Sequence, residues 1–536
     1  MSARANDFDP TAGREFFGHP KGLSTLFMTE MWERFSYYGI RPLLVLFMAT
    51  ALMNGGFGFE RPQASAIVGI YAASVYLASL PGGWIADRLL GLRRSIQYGA
   101  FLITAGHLSI GVSSFIGGKL FFFLGLILIV LGTGLLKPNI SAIVGDLYPE
   151  GGARRDAGFS IFYMGINTGS FLGQLVTGFL GEKYGYHWGF GAAGVGMLFG
   201  LLWFSFRARS TLGSIGTETT RDPDPAKQAN QESTVKLVVG IGLAILAVVV
   251  VLAATGVITI DPQVVGGYMT YVLVGLAIAF FGYIFIFGKL NADETKRVLV
   301  IAVLFVAAAV FWAAFEQAPT SLQLFAKDFT DRQVGSFEVP ATWFQSVNSL
   351  FIIIFAPVFA GIWTYLAGRN IDISSPAKFA AGLALAGVGF LIMIVPANNL
   401  VATNGAIKVS AMWLIMSYLL QTFGELLVSP VGLSSMTKLS PRRFVGQMMG
   451  IWFLASALGN LIAGLVGGNV DPEKLEQTPK LFTGTTIALF AAAVVLGLLA
   501  IPIARMMKNV DDQGPENVEP MGASIEEDVR KNRDER

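Results

Sequence analysis

Two acids and two bases stand close together inside one apolar stretch of the chain. Glu30, Glu33, Arg34, Tyr37 and Arg41 follow the spacing i, i+3, i+4, i+7 and i+11, so a helix would carry them on one face. Ionisable side chains are costly in a bilayer, and this face should therefore meet other helices or a water-filled cavity. There its carboxyls could exchange protons and its bases could bind an anion. The alternative is a static ion-pair cluster, but this is more charge than helix packing requires.

Three more ionisable residues lie singly in later apolar stretches. Lys137 precedes Pro138, which frees a backbone carbonyl one turn earlier in its helix. A buried lysine keeps its proton only beside an anionic partner, so we expect the acids of the first stretch to lie near it. Glu316 and Glu425 are the acids of the second half of the chain. Each is either a neutral packing residue or a carboxyl that gains and loses a proton.

The two halves of the chain differ in the sign of these charges. The cations Arg34, Arg41 and Lys137 all belong to the first half, whereas the second half offers only acids. A solute between the halves would turn its negative end to the first and its positive end to the second, as a short zwitterionic peptide could. Aromatic residues could line apolar pockets beside the charges. They are Tyr37, Tyr38, Tyr76, Trp312, Phe315 and Trp452.

The composition indicates an integral membrane protein. Of the 536 residues, 53% are hydrophobic and 14% are charged, whereas soluble domains carry about a quarter charged residues. The net charge of +2 does not suggest a nucleic-acid partner, and the absence of cysteine excludes disulfides and thiolate chemistry. Apolar stretches of about 20 residues, long enough to span a bilayer, recur along the chain and predict about fourteen helices. The predicted spans are 24–53, 63–86, 94–116, 119–146, 156–181, 187–207, 234–256, 266–288, 296–321, 342–367, 376–396, 407–437, 443–469 and 481–507.

Polar stretches divide these spans into blocks, and their composition predicts disorder. The blocks are an N-terminal segment 1–23, a six-helix bundle 24–207, a linker 208–233, an inserted helix pair 234–288, a second six-helix bundle 289–507 and a tail 508–536. The bundles resemble repeats, because the segments Gly134–Pro138 and Gly424–Pro430 each fall in the fourth span of a bundle. Such repeats are common in secondary transporters, which bind their substrate between them near the bilayer midplane.

The loops predict an orientation. Lysine and arginine are concentrated in the loops on one side, among them Arg88, Arg93, Arg94, Arg154 and Arg155. Because basic loops face the cytoplasm, both termini are predicted to be cytoplasmic. The polar N-terminal segment lacks the short apolar run of a cleaved signal peptide, so we expect the first helix to insert uncleaved.

These residues also match the motifs of a known family. The string Glu30-x-x-Glu33-Arg34-Phe-x-Tyr37-Tyr38-Gly resembles a signature of the proton-coupled oligopeptide transporters, a branch of the major facilitator superfamily. The stretch from Phe159 to Ser170 resembles their second signature, and Gly83-x-x-x-Asp87-Arg88 resembles the superfamily's loop between spans two and three. The likeness extends over residues 17–507, and the inserted pair is similar to that of bacterial members.

The resemblance implies an all-α membrane fold of the major facilitator type, with two six-helix bundles and two extra helices. It implies a proton-coupled symporter, not an enzyme, that imports di- and tripeptides by alternating access across the inner (plasma) membrane. The expected partners are peptides, protons and the lipid bilayer. Protons would be the coupling ion, with no cofactor or metal and no nucleic acid, and the chain would function as a monomer.

The resemblance also implies roles for individual residues. Arg34 and Lys137 would meet the peptide carboxylate, Glu425 the amino terminus, and Asn167 and Asn348 the peptide backbone. The full implied substrate-binding set is Arg34, Tyr37, Tyr38, Tyr76, Lys137, Asn167, Trp312, Asn348, Glu425, Ser429 and Trp452. The implied proton-coupling and gating set is Glu30, Glu33, Arg34, Arg41, Lys137 and Glu316. Arg41 and Glu316 would form a salt bridge near the outer side that protonation of Glu316 releases.

Two features depart from the family pattern. Ala318, Pro319 and Thr320 follow Gln317 where many relatives have a glycine-containing turn, and the proline could kink the helix beside the gate. No histidine falls in the second span, so proton coupling would depend on carboxylates.

Other functions fit less well. A transporter of nitrate would not place acids in its site, because acids repel an anion. Export of cationic drugs does not match a site with cations in one half and acids in the other. An intramembrane hydrolase is disfavoured because the sequence has no His-Glu-x-x-His motif, cysteine or intramembrane aspartate pair. A channel is disfavoured by charges spread over two halves. A related proton-coupled carrier of another solute remains the alternative.

Overall fold

The computed structural model describes residues 11, 14–116, 118–149, 152–219, 224–369, 371 and 373–511. Over these ranges the protein is almost wholly helical. The helices are α1 (Lys21–Ala49), α2 (Arg61–Ile85), α3 (Leu92–Ile116), α4 (Lys119–Asp146), α5 (Gly152–Lys183), α6 (Tyr186–Leu212), α7 (Pro225–Ala254), α8 (Pro262–Phe287), α9 (Ala292–Phe315), α10 (Gln323–Asp328), α11 (Trp343–Ala367), α12 (Ser375–Ala402), α13 (Met412–Leu439), α14 (Val445–Gly467) and α15 (Gln477–Asp511). Short strands β1 (Thr330–Asp331) and β4 (Val409–Ser410) pair in parallel, and β2 (Gln333–Val334) and β3 (Phe337–Glu338) pair antiparallel.

Each predicted span corresponds to one long helix, so the predicted all-α membrane fold of about fourteen spans is confirmed. Within the described ranges, 11 helical segments are long and apolar enough to cross a membrane by length and composition alone. Helices α1, α3 and α5 fall outside that count. Helix α1 carries the charged stripe, and its buried charges show that it packs inside the bundle.

The predicted linker 208–233 is shorter than expected. Helix α6 continues to Leu212, and α7 already begins at Pro225. Asp224 accepts a hydrogen bond from the Ala226 amide (2.9 Å), and an aspartate cap before a first-turn proline is a strong helix start. The expectation of disorder was therefore wrong for 225–233, and also for 508–511, which lie in α15. Residues 1–10, 12–13 and 220–223 and the tail 512–536 lie outside the described residues.

The helices pack as two bundles. In the first, α1 lies against α5 and α6, and α3 against α4; in the second, α12 lies against α13 and α15. The bundles meet where α2 crosses α14 and α5 crosses α11. A Cβ atom added to Gly69 would lie 2.8 Å from the Gly464 Cα atom. The α2–α14 crossing is therefore a close backbone contact that glycine permits.

The inserted pair, α7 and α8, lies outside the two bundles. Helix α8 packs along α2 and α14, whereas the apolar window of α7 has no buried residue. A polar contact joins α7 to the first bundle, since Arg88 donates to the Gln231 side chain (2.6 Å).

The chain is broken just after α9, as Pro319 led us to expect. Helix α9 ends at Phe315, and Glu316 stands at its C-cap. A π-type turn over Ala318–Leu322 then leads into α10. Proline lacks the N–H that would continue the helix, and the break leaves Glu316 at a helix end facing the first bundle.

Candidate functional site

The charged stripe of α1 is buried as predicted. Glu30, Glu33 and Arg34 are each at most 2% exposed. The Arg34 Nε atom lies 2.9 Å from a Glu30 oxygen and 2.5 Å from a Glu33 oxygen. The guanidinium also stands over the Tyr37 ring, 5.3 Å from its centroid. Two carboxyls share one guanidinium, which offsets their desolvation and gives a group that could hold one extra proton.

Lys137 lies within electrostatic reach of the α1 acids Glu30 and Glu33, as expected. In the described part of the chain, however, no carboxylate oxygen lies within 4.0 Å of its ammonium, so it forms no direct ion pair. The ammonium instead lies 4.3 Å from the centroid of the Tyr76 ring, a cation–π contact. Both side chains are half-buried. A substrate anion could therefore reach the side-chain nitrogen of Lys137.

Glu425 on α13 is the corresponding acid of the second bundle. It accepts a hydrogen bond from the Asn348 amide (3.1 Å), and the same amide donates to Thr422 (2.9 Å). No basic side chain lies within 4.0 Å of Glu425 among the described residues. Ser429, one turn further along the same helix, has a hydroxyl without a hydrogen-bond partner in the described ranges. Asn348 therefore fixes the orientation of the Glu425 carboxyl.

The predicted salt bridge between the halves is present. Arg41 donates to Glu316 at 2.5 Å and to the Asn460 side-chain oxygen at 3.2 Å. Arg41 is 6% exposed and Glu316 is 7% exposed. A buried pair of this kind holds only while the carboxyl is ionised, because removal of one charge leaves the other uncompensated.

Other polar contacts between the halves lie at or near the same end, where α1 finishes and α2 begins. Arg61 donates to Asp328 (2.5 Å), Ser349 to Ser170 (2.8 Å), and the Trp343 indole to the Leu175 carbonyl (2.9 Å). The structure therefore has one end closed by polar contacts.

The predicted aromatic pocket residues occupy tight positions. A Cβ atom on Gly432 would lie 2.1 Å from the Trp452 ring, and one on Gly459 would lie 2.3 Å from Trp312. The Trp452 indole therefore fits over a glycine of a neighbouring helix, whereas Gly459 lets α14 approach the Cβ atom and backbone of Trp312. Tyr38 is half-buried, with its ring 5.1 Å from that of Tyr37.

The side chain of Asn167 forms a hydrogen bond within its own helix. It is 5% exposed, and its amide donates to the Tyr163 carbonyl one turn earlier in α5 (3.0 Å). The amide has a second N–H and an oxygen, so this bond does not exclude the implied contact with the peptide backbone.

The structure adds residues that the sequence did not reveal. Asn460 shares Arg41 with Glu316, and Thr422 shares Asn348 with Glu425. Tyr71 is 4% exposed with its ring 6.2 Å from that of Tyr37, and its hydroxyl has no partner in the described ranges. The available signal was an asparagine in the mostly apolar α14.

A cavity of about 960 Å³ lies away from these charges, among α8, α9, α14 and α15. Its walls are almost wholly apolar, including Phe281, Phe305, Ala309 and Leu458. It contains none of the predicted site residues. Despite its size, we therefore do not assign it as the binding site of a charged solute.

Comparison with known proteins decides the family. The sequence model of the POT family matches residues 93–481. A peptide transporter of Yersinia enterocolitica is 51% identical over 94% of this chain and 98% of its own length. The chain belongs to the POT family. A di-/tripeptide transporter of Lactococcus lactis is 37% identical over 92% of this chain and 96% of its own length.

Solved structures of the family have the same fold. A POT peptide transporter in complex with sulfate superposes with a TM-score of 0.84 at 41% identity, covering 93% of this chain and 98% of that one. A mutant POT peptide transporter in complex with alafosfalin gives a TM-score of 0.83 at 42% identity, with the same coverage. The predicted family and its major facilitator fold are confirmed.

Proposed function

We propose that this protein is a proton-coupled symporter that imports di- and tripeptides by alternating access. The observation that carries the proposal is a pair of opposite charges on the two bundles, Lys137 and Glu425, neither of which has an ionic partner within 4.0 Å in the described ranges. Lys137 lies on α4 of the first bundle and Glu425 on α13 of the second. A short peptide carries a carboxylate and an ammonium at separated ends and would neutralise both.

The peptide would bind with its carboxylate toward Lys137 and Arg34. Its amino terminus would donate to Glu425, which Asn348 holds in place (3.1 Å). Its side chains would lie against aromatic rings that are fixed by packing and can accept varied apolar groups, with Trp452 held over Gly432. The amino and carboxyl termini, which all peptides share, would then fix the orientation of the bound peptide. The site would therefore accept a wide range of side chains.

Protons would act at two carboxyl clusters. A peptide carboxylate that draws on Arg34 competes with Glu30 and Glu33, which share its Nε atom, so peptide binding would favour a proton on one of them. At the closed end, a neutral Glu316 cannot hold Arg41 as an ion pair. Proton binding there would shift the equilibrium toward an open outer end.

The proposal extends to the setting of the protein. Its relatives are transporters, and the mechanism involves no catalysis, nucleic acid or cofactor apart from protons. The basic loops support an inner-membrane protein with both termini in the cytoplasm, so the closed end would face outward. The charges that contact peptide and proton all come from one chain, which supports a functional monomer.

The proposal can be tested by uptake of labelled dialanine into liposomes that hold the purified protein. An inward proton gradient and a negative interior should drive accumulation that an ionophore abolishes and unlabelled di- and tripeptides compete. If a folded preparation neither accumulates nor exchanges any peptide, the substrate class is wrong, and nitrate and drug-like solutes should be tested next.

A further inference from the structure

Glu182, at the end of α5, accepts more polar contacts from the opposite bundle than either acid of the α1 stripe. Its carboxylate lies 3.0 Å from the Lys327 ammonium of α10. It also accepts from the backbone amide of Thr342 (2.9 Å) and from the hydroxyl of the same residue (3.0 Å), just before α11. Arg332 lies 3.9 Å away. The side chain of Glu182 is only 3% exposed although it stands near a helix end.

The surroundings hold this carboxylate in place. A Cβ atom on Gly178, one turn earlier in α5, would lie 2.0 Å from the Thr342 hydroxyl, so α5 and the start of α11 are in close contact. Nearby, the Trp343 indole donates to the Leu175 carbonyl (2.9 Å). Every donor to Glu182 belongs to the second bundle, whereas Glu182 itself belongs to the first.

We propose that Glu182 is a second gating residue, an outer latch that stabilises the closed outer end independently of Arg41 and Glu316. This inference rests on the alternating-access mechanism proposed above. If the bundles separate at this end, Lys327 and the two donors of Thr342 must leave Glu182 together. The latch would therefore stabilise the closed state and not the open one, which is the differential interaction that moves a conformational equilibrium.

The latch differs chemically from the Arg41–Glu316 pair. Lys327 is 36% exposed at its side chain, so water reaches it as soon as the bundles part, and no uncompensated buried cation remains. Removing the charge at position 182 should thus shift the conformational equilibrium without unfolding the protein. It should leave the peptide site intact, because no proposed peptide contact touches Glu182.

The chain contains no cysteine, so two introduced cysteines can carry the only spin labels. Met53 (90% exposed) and Ile407 (65% exposed) lie on outer loops of opposite bundles. Pulsed electron paramagnetic resonance on Met53→Cys/Ile407→Cys in nanodiscs reports the distance between them. We expect Glu182→Gln to raise the ratio of long to short distances by about tenfold. The matched control is Glu476→Gln, since Glu476 is an exposed acid at the same end that pairs with Lys480 of α15, within its own bundle.

Further variants separate gating from a purely structural role. Lys327→Gln should raise the ratio as well, and the double variant Glu182→Gln/Lys327→Gln should do no more than Glu182→Gln alone. Glu182→Asp, which retains the charge, should restore part of the short distance. If Glu182→Gln does not fold, Thr342→Val in the spin-labelled Met53→Cys/Ile407→Cys protein is measured instead. A distance distribution in the folded latch variants equal to that of Glu476→Gln would overturn the proposal, and because no transport is measured, it would leave the peptide assignment untouched.

Discussion

Replacement of Glu316 by glutamine tests the proposed link between the proton and the outer gate. The change keeps the size of the side chain and removes its charge, as permanent protonation would. Arg41 then keeps hydrogen bonds to the new amide oxygen and to Asn460, which lies 3.2 Å away, but loses its counter-charge. The substituted protein should therefore behave as though the gate had already received its proton.

The size of the effect follows from the burial of the pair. Both residues are at most 7% exposed, and loss of one partner of such a pair costs about 3–5 kcal/mol when the other charge stays buried. The remaining hydrogen bonds recover about 1 kcal/mol each. We therefore expect the closed outer end to lose about 2 kcal/mol relative to the open one, a change of about 30-fold in their ratio.

Two transport assays on the same liposomes separate this effect from loss of binding. Glu316→Gln should lose accumulation of dialanine against its gradient, because a proton no longer changes the state of the gate. It should retain exchange of external labelled for internal unlabelled dialanine, since Lys137 and Glu425 are unaltered. Asp293→Asn, which alters an exposed acid paired with Lys296 (3.0 Å), should match the parent in both assays. Full uphill accumulation by Glu316→Gln would refute the gating role.

Three other changes probe the site and the crossing of the bundles. Lys137→Ala should weaken dialanine binding by about 30-fold through loss of the carboxylate's partner; unchanged affinity by calorimetry would contradict that role. Glu425→Gln should reduce the preference for dialanine over N-acetyl-dialanine by about tenfold, measured by competition, and an unchanged preference would place the amino terminus elsewhere. Gly69→Leu should push α2 and α14 apart, because even its Cβ would lie 2.8 Å from the Gly464 Cα atom. The spin-label distance should lengthen for this variant and not for Gly111→Leu, whose Cβ meets nothing within 4 Å.

Hydropathy was enough to predict the helices, because the bilayer demands about 20 apolar residues for each span. It could not place the start of α7, where Asp224 and Pro225 extend the helix into polar sequence. The break after α9 was foreseeable from Pro319, since proline cannot continue a helix. That the break leaves Glu316 at the helix cap could be seen only in the structure.

Intramembrane charge revealed most of the candidate site, because an ionisable group in a bilayer needs a reason to be there. The same argument is silent about Asn460 and Thr422, which are neutral and common in packed membrane helices. It is also silent about Glu182, which stands at a helix end where an acid costs little. Its partner Lys327 lies 145 positions away, a pairing that no local pattern contains.

Gly69, where α2 crosses α14, lies closer to the outer end of α2 than to its inner end. It lies eight residues after Arg61 and sixteen before Ile85, so at 1.5 Å per residue the two segments are about 12 Å and about 24 Å long. If the bundles turn as rigid bodies about this crossing, the outer end of α2 moves about half as far as its inner end. For the same rotation, the opening at the outer end is therefore about half as wide as the opening that releases a tripeptide at the inner end. The outer mouth would then select solutes by cross-section before any side chain of the site contacts them.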